Sequence, residues 1–270
     1  MKLSELIDRL KRAGIESAVY DARALFRHYG GFTDFALYGS DPSSNDPALI
    51  EAALRREARE PLQYILGECG FYRETYLVTR DCLIPREDTE ILVEYAVNHL
   101  PSGASFADLC TGSGCIALSV LNNTKNTTAR LFDISEGALS VAKKNTERLG
   151  LTDRAELFLL DCLKQAPSGK YDAILSNPPY IEKEAYERLE KEIFYEPSLA
   201  FIAGEDGMEF YRAILTNCKN SLTEDGFFAF EIGYDQEEKI KSLSDELGFS
   251  PRILRDLSGN CRVAILHQKA

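Results

Sequence analysis

Along the first part of the chain, apolar side chains recur at helical spacing: Leu3, Leu6, Ile7 and Leu10 form one stripe, and Tyr20, Ala24 and Leu25 begin a second. Asp46 followed by Pro47 predicts the start of a third helix through ALIEAALRREARE, since the acid can accept from a free N–H and proline is tolerated in the first turn. Pro61 interrupts it. The texture then changes to CGFYRETYLVT, where aromatic and β-branched residues flank Arg73 and Glu74, which fits a β-hairpin better than a helix. From Ala104 onward the strand-like runs ASFADLC, ARLFDI, AELFLLD, YDAILS and FFAFEIG alternate with helical stripes such as SEGALSVAKKNTERLG. That alternation predicts an α/β fold with a doubly wound, mostly parallel sheet. SPRILRD and CRVAILHQ are joined only by the turn-like LSGN, so they should pair as an antiparallel hairpin at the sheet edge.

Composition narrows the possible partners. With 270 residues and 44% hydrophobic content the chain can bury a real core in one large domain or two ordinary ones. Its formal net charge of -12 argues against general attraction to nucleic acid or anionic membrane, so no direct DNA binding is expected. The opening MKLSELIDRLKRAGI breaks its apolar pattern with charges, unlike a signal peptide, and no later run approaches membrane-spanning length. A cytoplasmic location is expected. The seven cysteines contain no Cys-x-x-Cys pair, and His28, His99 and His267 are scattered, so free thiols and no metal site are expected.

Two local features carry candidate chemistry. In FADLCTGSGCIAL, Gly112 and Gly114 lie between a strand and a helix, where glycine lets a ligand approach the backbone and the helix start offers free N–H groups. Asp133 ends the next strand, where a carboxylate can take both hydroxyls of a ribose. Both a nicotinamide dinucleotide and S-adenosylmethionine fit this pattern. A purely structural reading also stands, with the glycines serving tight packing and Asp133 capping the following helix. The second feature is SNPPYI, at residues 176–181, which ends the fourth strand of the alternating region beside the glycine turn, in the switch-point crevice of such sheets. Two prolines make a stiff, donor-poor corner that holds Asn177 and nearby carbonyls in one orientation.

Asn-Pro-Pro-Tyr in this place resembles the methyltransferases that act on planar nitrogens, either exocyclic amines of adenine or guanine or the amide of glutamine. The resemblance implies that the Asn177 side-chain oxygen and the Pro178 carbonyl accept the two N–H groups of an NH₂, aiming its poorly nucleophilic nitrogen at a sulfonium methyl. Tyr180 would pack on the flat group. Asn177, Pro178 and Tyr180 are thus the implied catalytic set, with no general base.

Over nearly the whole chain the pattern is similar to the HemK/PrmC family, through a small helical N-terminal part, GFYRETYLVT, LIPREDTEILVE, DLCTGSGCIAL, DISEGALSVAKKN, SNPPYI, EPSLAFIAGEDG and FEIGYDQ. This resemblance implies N5-methylation of the glutamine in the Gly-Gly-Gln motif of class I peptide chain release factors, modulating translation termination. S-adenosylmethionine would be the methyl donor and S-adenosylhomocysteine the product, with no metal. The implied fold is a Rossmann-like seven-stranded mixed sheet of the class I methyltransferase kind, with a small all-α domain joined to it by the hairpin. The boundaries expected are 1–66 for helical substrate recognition, 67–86 for the hairpin linker, which would act as a hinge, and 87–270 for the methyltransferase domain. Carried over by position, the cofactor would meet Cys110, Thr111, Gly112, Ser113 and Gly114, with Asp133 on the ribose, Cys162 beside the adenine and Asn177 near the methyl. The substrate would meet Asn177, Pro178, Pro179 and Tyr180, with Pro85 and Arg86 expected in the same pocket.

Two positions depart from the family pattern. Cys110 stands where glycine is usual, which is tolerable if its backbone torsion is negative. Cys162 stands where a tryptophan or other large residue is common, which removes a stacking surface and should lower cofactor affinity. Glu196 and Pro197 fit a turn or helix end as well as substrate contact. Glu231 is expected to be a buried carboxylate paired with a base such as Arg262. Arg55, Arg56 and Arg59 are expected on a solvated helix face. The alternatives to glutamine methylation are an adenine- or guanine-directed nucleic acid methyltransferase, a nicotinamide-dependent oxidoreductase, which leaves SNPPYI unexplained, and a non-enzymatic adaptor.

Overall fold

The computed structural model describes residues 1–269, which form two compact units, one of residues 1–68 with 190–195 and one of residues 69–189 with 196–269. In the first unit the helical stripes become helices at Leu3–Arg12, Ala18–Gly30 and Pro47–Glu57. Asp46 caps the third as its position implies, accepting from Ala48 N–H at 2.8 Å with Pro47 in the first turn. Leu6, Leu10, Leu25, Phe26, Leu37 and Leu49 fill the core between them. Tyr20 does not join that core; Ala18, Ala22, Leu25 and Phe26 form the buried face of its helix, and Tyr20 is 67% exposed.

The three arginines differ from expectation. Arg56 is buried and pairs with Asp21 at 2.7 Å and Glu192 at 3.5 Å, while Arg59 reaches Glu192 at 2.6 Å. Arg55 pairs with Glu60 at 2.8 Å. Arg56 and Arg59 thus meet acids remote in sequence instead of solvent, while Arg55 stays partly exposed beside the nearby Glu60, so only part of the run is a solvated surface.

In the second unit, β1 (Glu68–Phe71) and β2 (Glu74–Leu77) form a two-stranded sheet across the segment read as a hairpin. The main sheet contains β3 (Ser105–Leu109), β4 (Thr128–Asp133), β5 (Ala155–Leu159), β6 (Tyr171–Ser176), β7 (Leu222–Glu231), β8 (Phe249–Arg255) and β9 (Cys261–Gln268). Its order is β5-β4-β3-β6-β7-β9-β8. β5, β4, β3, β6 and β7 pair in parallel, β9 runs antiparallel to β7, and the β8–β9 hairpin closes the edge. Apolar clusters cover both faces, one around Phe106, Leu118, Leu131 and Leu175, the other around Ile174, Tyr211, Phe228 and Phe230. Burial on both sides explains why the strands read as near-continuous apolar runs.

What matters for function is the switch point. β3 is flanked by β4 on one side and β6 on the other, and Leu109 and Ser176 lie side by side in register. Ser176 Oγ donates to the Leu109 carbonyl at 2.6 Å, which ties together the starts of the two loops that follow. Those loops hold the glycine turn and the proline corner. No helix among the described residues is long and apolar enough to cross a membrane.

Candidate functional site

Immediately after β3 the chain makes a tight turn with Cys110, Gly112 and Gly114 all at positive φ, before the helix Cys115–Asn123 begins. The two glycines do different work. At Gly114 a Cβ would meet Leu118 at 3.0 Å and Ala142 at 3.3 Å, so that position serves helix packing. Gly112, at φ 56°, faces open space, and its N–H donates to Asp133 Oδ2 at 2.8 Å. Asp133 Oδ1 accepts from Ser135 N–H at 2.9 Å. A carboxylate has about four acceptor sites, so both oxygens keep capacity for a ligand's hydroxyls. Burial pushes the Asp133 carboxyl up, against the pull of those backbone N–H groups.

These groups border a cleft of about 840 Å³, counting its open mouth. Cys110, Gly112, Asp133, Cys162 and Pro179 line it, and Phe132, Ile134, Leu163 and Phe210 give it apolar walls. Thr111 and Ser113 are buried behind the turn and do not line the cavity. The donor set suits S-adenosylmethionine. Apolar walls fit adenine, Asp133 fits the ribose, and Gly112 is a cradle that a Cβ would fill. Asp108, fully buried on β3 behind the turn, has one carboxylate oxygen without a partner. Burial pushes Asp108 up to about 7, although Thr111 Oγ1 donates to it at 2.6 Å.

Cys110 does not meet the condition set for it. Its φ is 58°, in the left-handed region where a side chain crowds the backbone and glycine is favoured. Its sulfur lies 3.7 Å from that of Cys162, and this thiol contact together with burial pushes the Cys110 thiol up.

After β6 the proline corner takes shape. Pro178 and Pro179 are buried, while Asn177 and Tyr180 are half-buried. Asn177 Nδ2 lies 3.3 Å from Thr89 Oγ1, and Thr89 donates a short hydrogen bond to Glu231 at the end of β7. Tyr180 OH lies 3.4 Å from the other oxygen of Glu231. The expected Glu231–Arg262 pair is not formed. Arg262 instead pairs with Asp88 at 3.2 Å and Asp256 at 2.9 Å, and the buried carboxylate is held by hydroxyl donors. Gln236 Nε2 clamps the Tyr180 carbonyl at 3.0 Å, and Gly207 packs so closely that a Cβ there would lie 2.6 Å from the same oxygen.

Pro85 and Arg86 are not among the residues lining the cavity. Arg86 forms a short ion pair with buried Glu196, which also accepts from Ile84 N–H at 2.9 Å. Glu196 thus anchors the LIPRED segment. Sequence reasoning did not single out Thr89, Asp108 or the wall residue Ile134. Asp108 had a visible signal, an acid within an apolar strand just before a glycine turn; Thr89 had none, since its partners lie 88 and 142 residues away. No group of three or more potential metal ligands occurs among the described residues.

Known proteins place this architecture in context. Residues 2–67 match the PrmC N-terminal domain and residues 87–200 the methyltransferase small domain. The chain is 38% identical to a release factor glutamine methyltransferase of Rhodospirillum rubrum, over 99% of this chain and 86% of that one. It is 36% identical to one of Caulobacter vibrioides, over 96% of this chain and 92% of the other. A solved ribosomal protein L11 methylase from Lactobacillus delbrueckii subsp. bulgaricus shares the fold at a TM-score of 0.50 and 20% identity, over 69% of this chain and 81% of that one. Near-full-length similarity above the level of shared fold shows that this chain belongs to the release factor glutamine methyltransferase family.

Proposed function

We propose that this chain transfers a methyl group from S-adenosylmethionine to the side-chain amide nitrogen of the glutamine in the Gly-Gly-Gln motif of class I peptide chain release factors. The observation that carries this reading is the adjacency of the two loops: Asn177 and Pro178 follow β6 directly beside the glycine turn after β3, and Pro179 already lines the cavity. Gly112, Asp133, Ile134 and Cys162 would hold the cofactor. When bound, S-adenosylmethionine supplies a methyl carbon on a sulfonium, so that an N–C bond forms as the C–S bond breaks towards sulfur and the nitrogen sheds one proton to solvent.

The protein's part is orientation. An amide nitrogen is a poor nucleophile because its lone pair is delocalised. Two fixed acceptors, Asn177 Oδ1 and the Pro178 carbonyl, can take its N–H groups and turn the lone pair towards the methyl. Tyr180 packs beside them and excludes water. Residues 1–66 are assigned to recognition of the release factor, a role supported by Tyr20, Phe35, Tyr38 and Leu54, which that unit leaves exposed.

The test is to incubate the protein with S-adenosylmethionine and an unmethylated release factor, with a Gln-to-Ala factor as control, and to map added methyl by peptide mass spectrometry. Methyl on the Gly-Gly-Gln glutamine is the expected result. Cofactor binding without transfer would move the target to a nucleic acid base. A short Gly-Gly-Gln peptide should show a much higher KM than the intact factor, and equal values would remove the recognition role of the helical unit.

A further inference from the structure

The contacts behind Asn177 form a chain with a direction. A carboxylate can only accept, so Thr89 must spend its single hydrogen on Glu231. The hydroxyl then has only lone pairs left, and Asn177 must face it with Nδ2, at 3.3 Å. That leaves Asn177 Oδ1 as the end available to a ligand. A protonated Glu231 would reverse the chain: it could donate to Thr89, Thr89 could donate to Asn177, and the amide would turn its NH₂ outward. An NH₂ cannot accept from the substrate's own NH₂.

We infer that Thr89 and Glu231 are positioning residues that set which end of the Asn177 amide meets the substrate nitrogen. This inference rests on the glutamine-methylation reading for its consequence in catalysis, but the hydrogen-bond chain exists without substrate. Thr89 is 2% and Glu231 3% exposed, so water does not scramble the order. The same carboxylate also takes the Tyr180 hydroxyl, at 3.4 Å. One group therefore holds both polar side chains of the corner.

Burial pushes Glu231 up to about 7, opposed by the hydrogen bond from Thr89. Asp88 beside Thr89 adds to the rise, Arg262 on β9 and the Tyr180 hydroxyl oppose it, and Tyr211 donates to the Glu231 backbone carbonyl at 2.8 Å. Ionisation of Glu231 is the form that orients Asn177 productively. Turnover should therefore rise as pH increases through about 7.

Thr89→Val keeps the shape and removes the relay. It should lower kcat by about tenfold or more, as expected for one decisive hydrogen bond, while cofactor affinity holds. Thr89→Ser should restore kcat. Glu231→Gln should flatten the rise with pH. A readout independent of substrate is the Asn177 side-chain amide by NMR, which should titrate with a midpoint near 7 in the parent protein and lose that titration in both Thr89→Val and Glu231→Gln. Parent-like kcat in Thr89→Val, equal loss in Thr89→Ser, or an Asn177 amide that ignores pH would each overturn the inference. If Thr89→Val does not fold, the titration in the parent protein decides alone. Failure of the parent to methylate a release factor would instead sink the substrate assignment, and the NMR result would still stand.

Discussion

The glycine turn proposed to cradle the cofactor and the proline corner proposed to orient the amide sit at the ends of neighbouring strands, yet they are built by opposite means. The cradle is local and largely backbone: Gly112, a turn at positive φ and Asp133 twenty-one positions on, whose carboxylate its own N–H meets. The corner is assembled by side chains from three separate segments, with Thr89, Asn177 and Glu231 in line. A site that must bind a nucleoside can be encoded in one βα turn, whereas a site that must orient an amide needs a hydrogen-bond direction imposed from outside the turn.

The sharpest way to break that contrast is a crossed pair of substitutions. Asn177→Ala should reduce methyl transfer by about 10²-fold or more while leaving cofactor affinity near its parent value. Asp133→Ala should weaken cofactor binding by about 10- to 100-fold, the worth of hydrogen bonds to a charged group, with turnover at saturation largely kept. Calorimetric titration with cofactor and saturated single-turnover rates would separate the two. If each variant lost both properties equally, the cradle and the corner would be one unit.

A smaller effect links them through pH. Asp108 behind the cradle and Glu231 behind the corner are both pushed up to about 7 by burial, from the ordinary carboxylate range of about 4. Between those values the unfolded chain has released protons that the folded chain retains. The folded state binds more protons, so stability falls as pH rises through this window, by up to about 1.4 kcal/mol per pH unit for each group. Urea midpoints between pH 5 and 7.5 should show the decline, and Asp108→Asn should reduce its slope.

The smallest change falls on the cradle alone. Cys110 holds a left-handed torsion that costs a side chain about 1 kcal/mol or more, so Cys110→Gly should raise or hold the melting temperature despite losing the contact with Cys162. A clear loss of stability would mean that the thiol pair contributes more than the torsion costs.

The same contrast explains what could be read in advance. The alternation of strands and helices, the edge hairpin and the glycine turn follow from periodicity and local turn chemistry, both of which act over a few residues. SNPPYI was visible because proline restricts the backbone wherever it occurs. The role of Thr89 was not, because a threonine after an acid looks like any helix start until β7 brings Glu231 to it. Arg56 was misread for a related reason: its partner Asp21 lies 35 residues earlier, and only packing reveals that the pair is buried. The torsion at Cys110 was signalled only by the glycine usual at that place in the family, since cysteine itself says nothing of a positive φ.

Gly207 gives the corner a further property. With φ at 70° and no room for even a methyl against the Tyr180 carbonyl, it acts as a mould for a loop it shares no chemistry with. In a saturation scan, position 207 would score among the least tolerant sites in the protein, and its variants would bind cofactor yet turn over slowly. A reader of that scan alone would draw a catalytic residue where the chain has only an empty space of the right size.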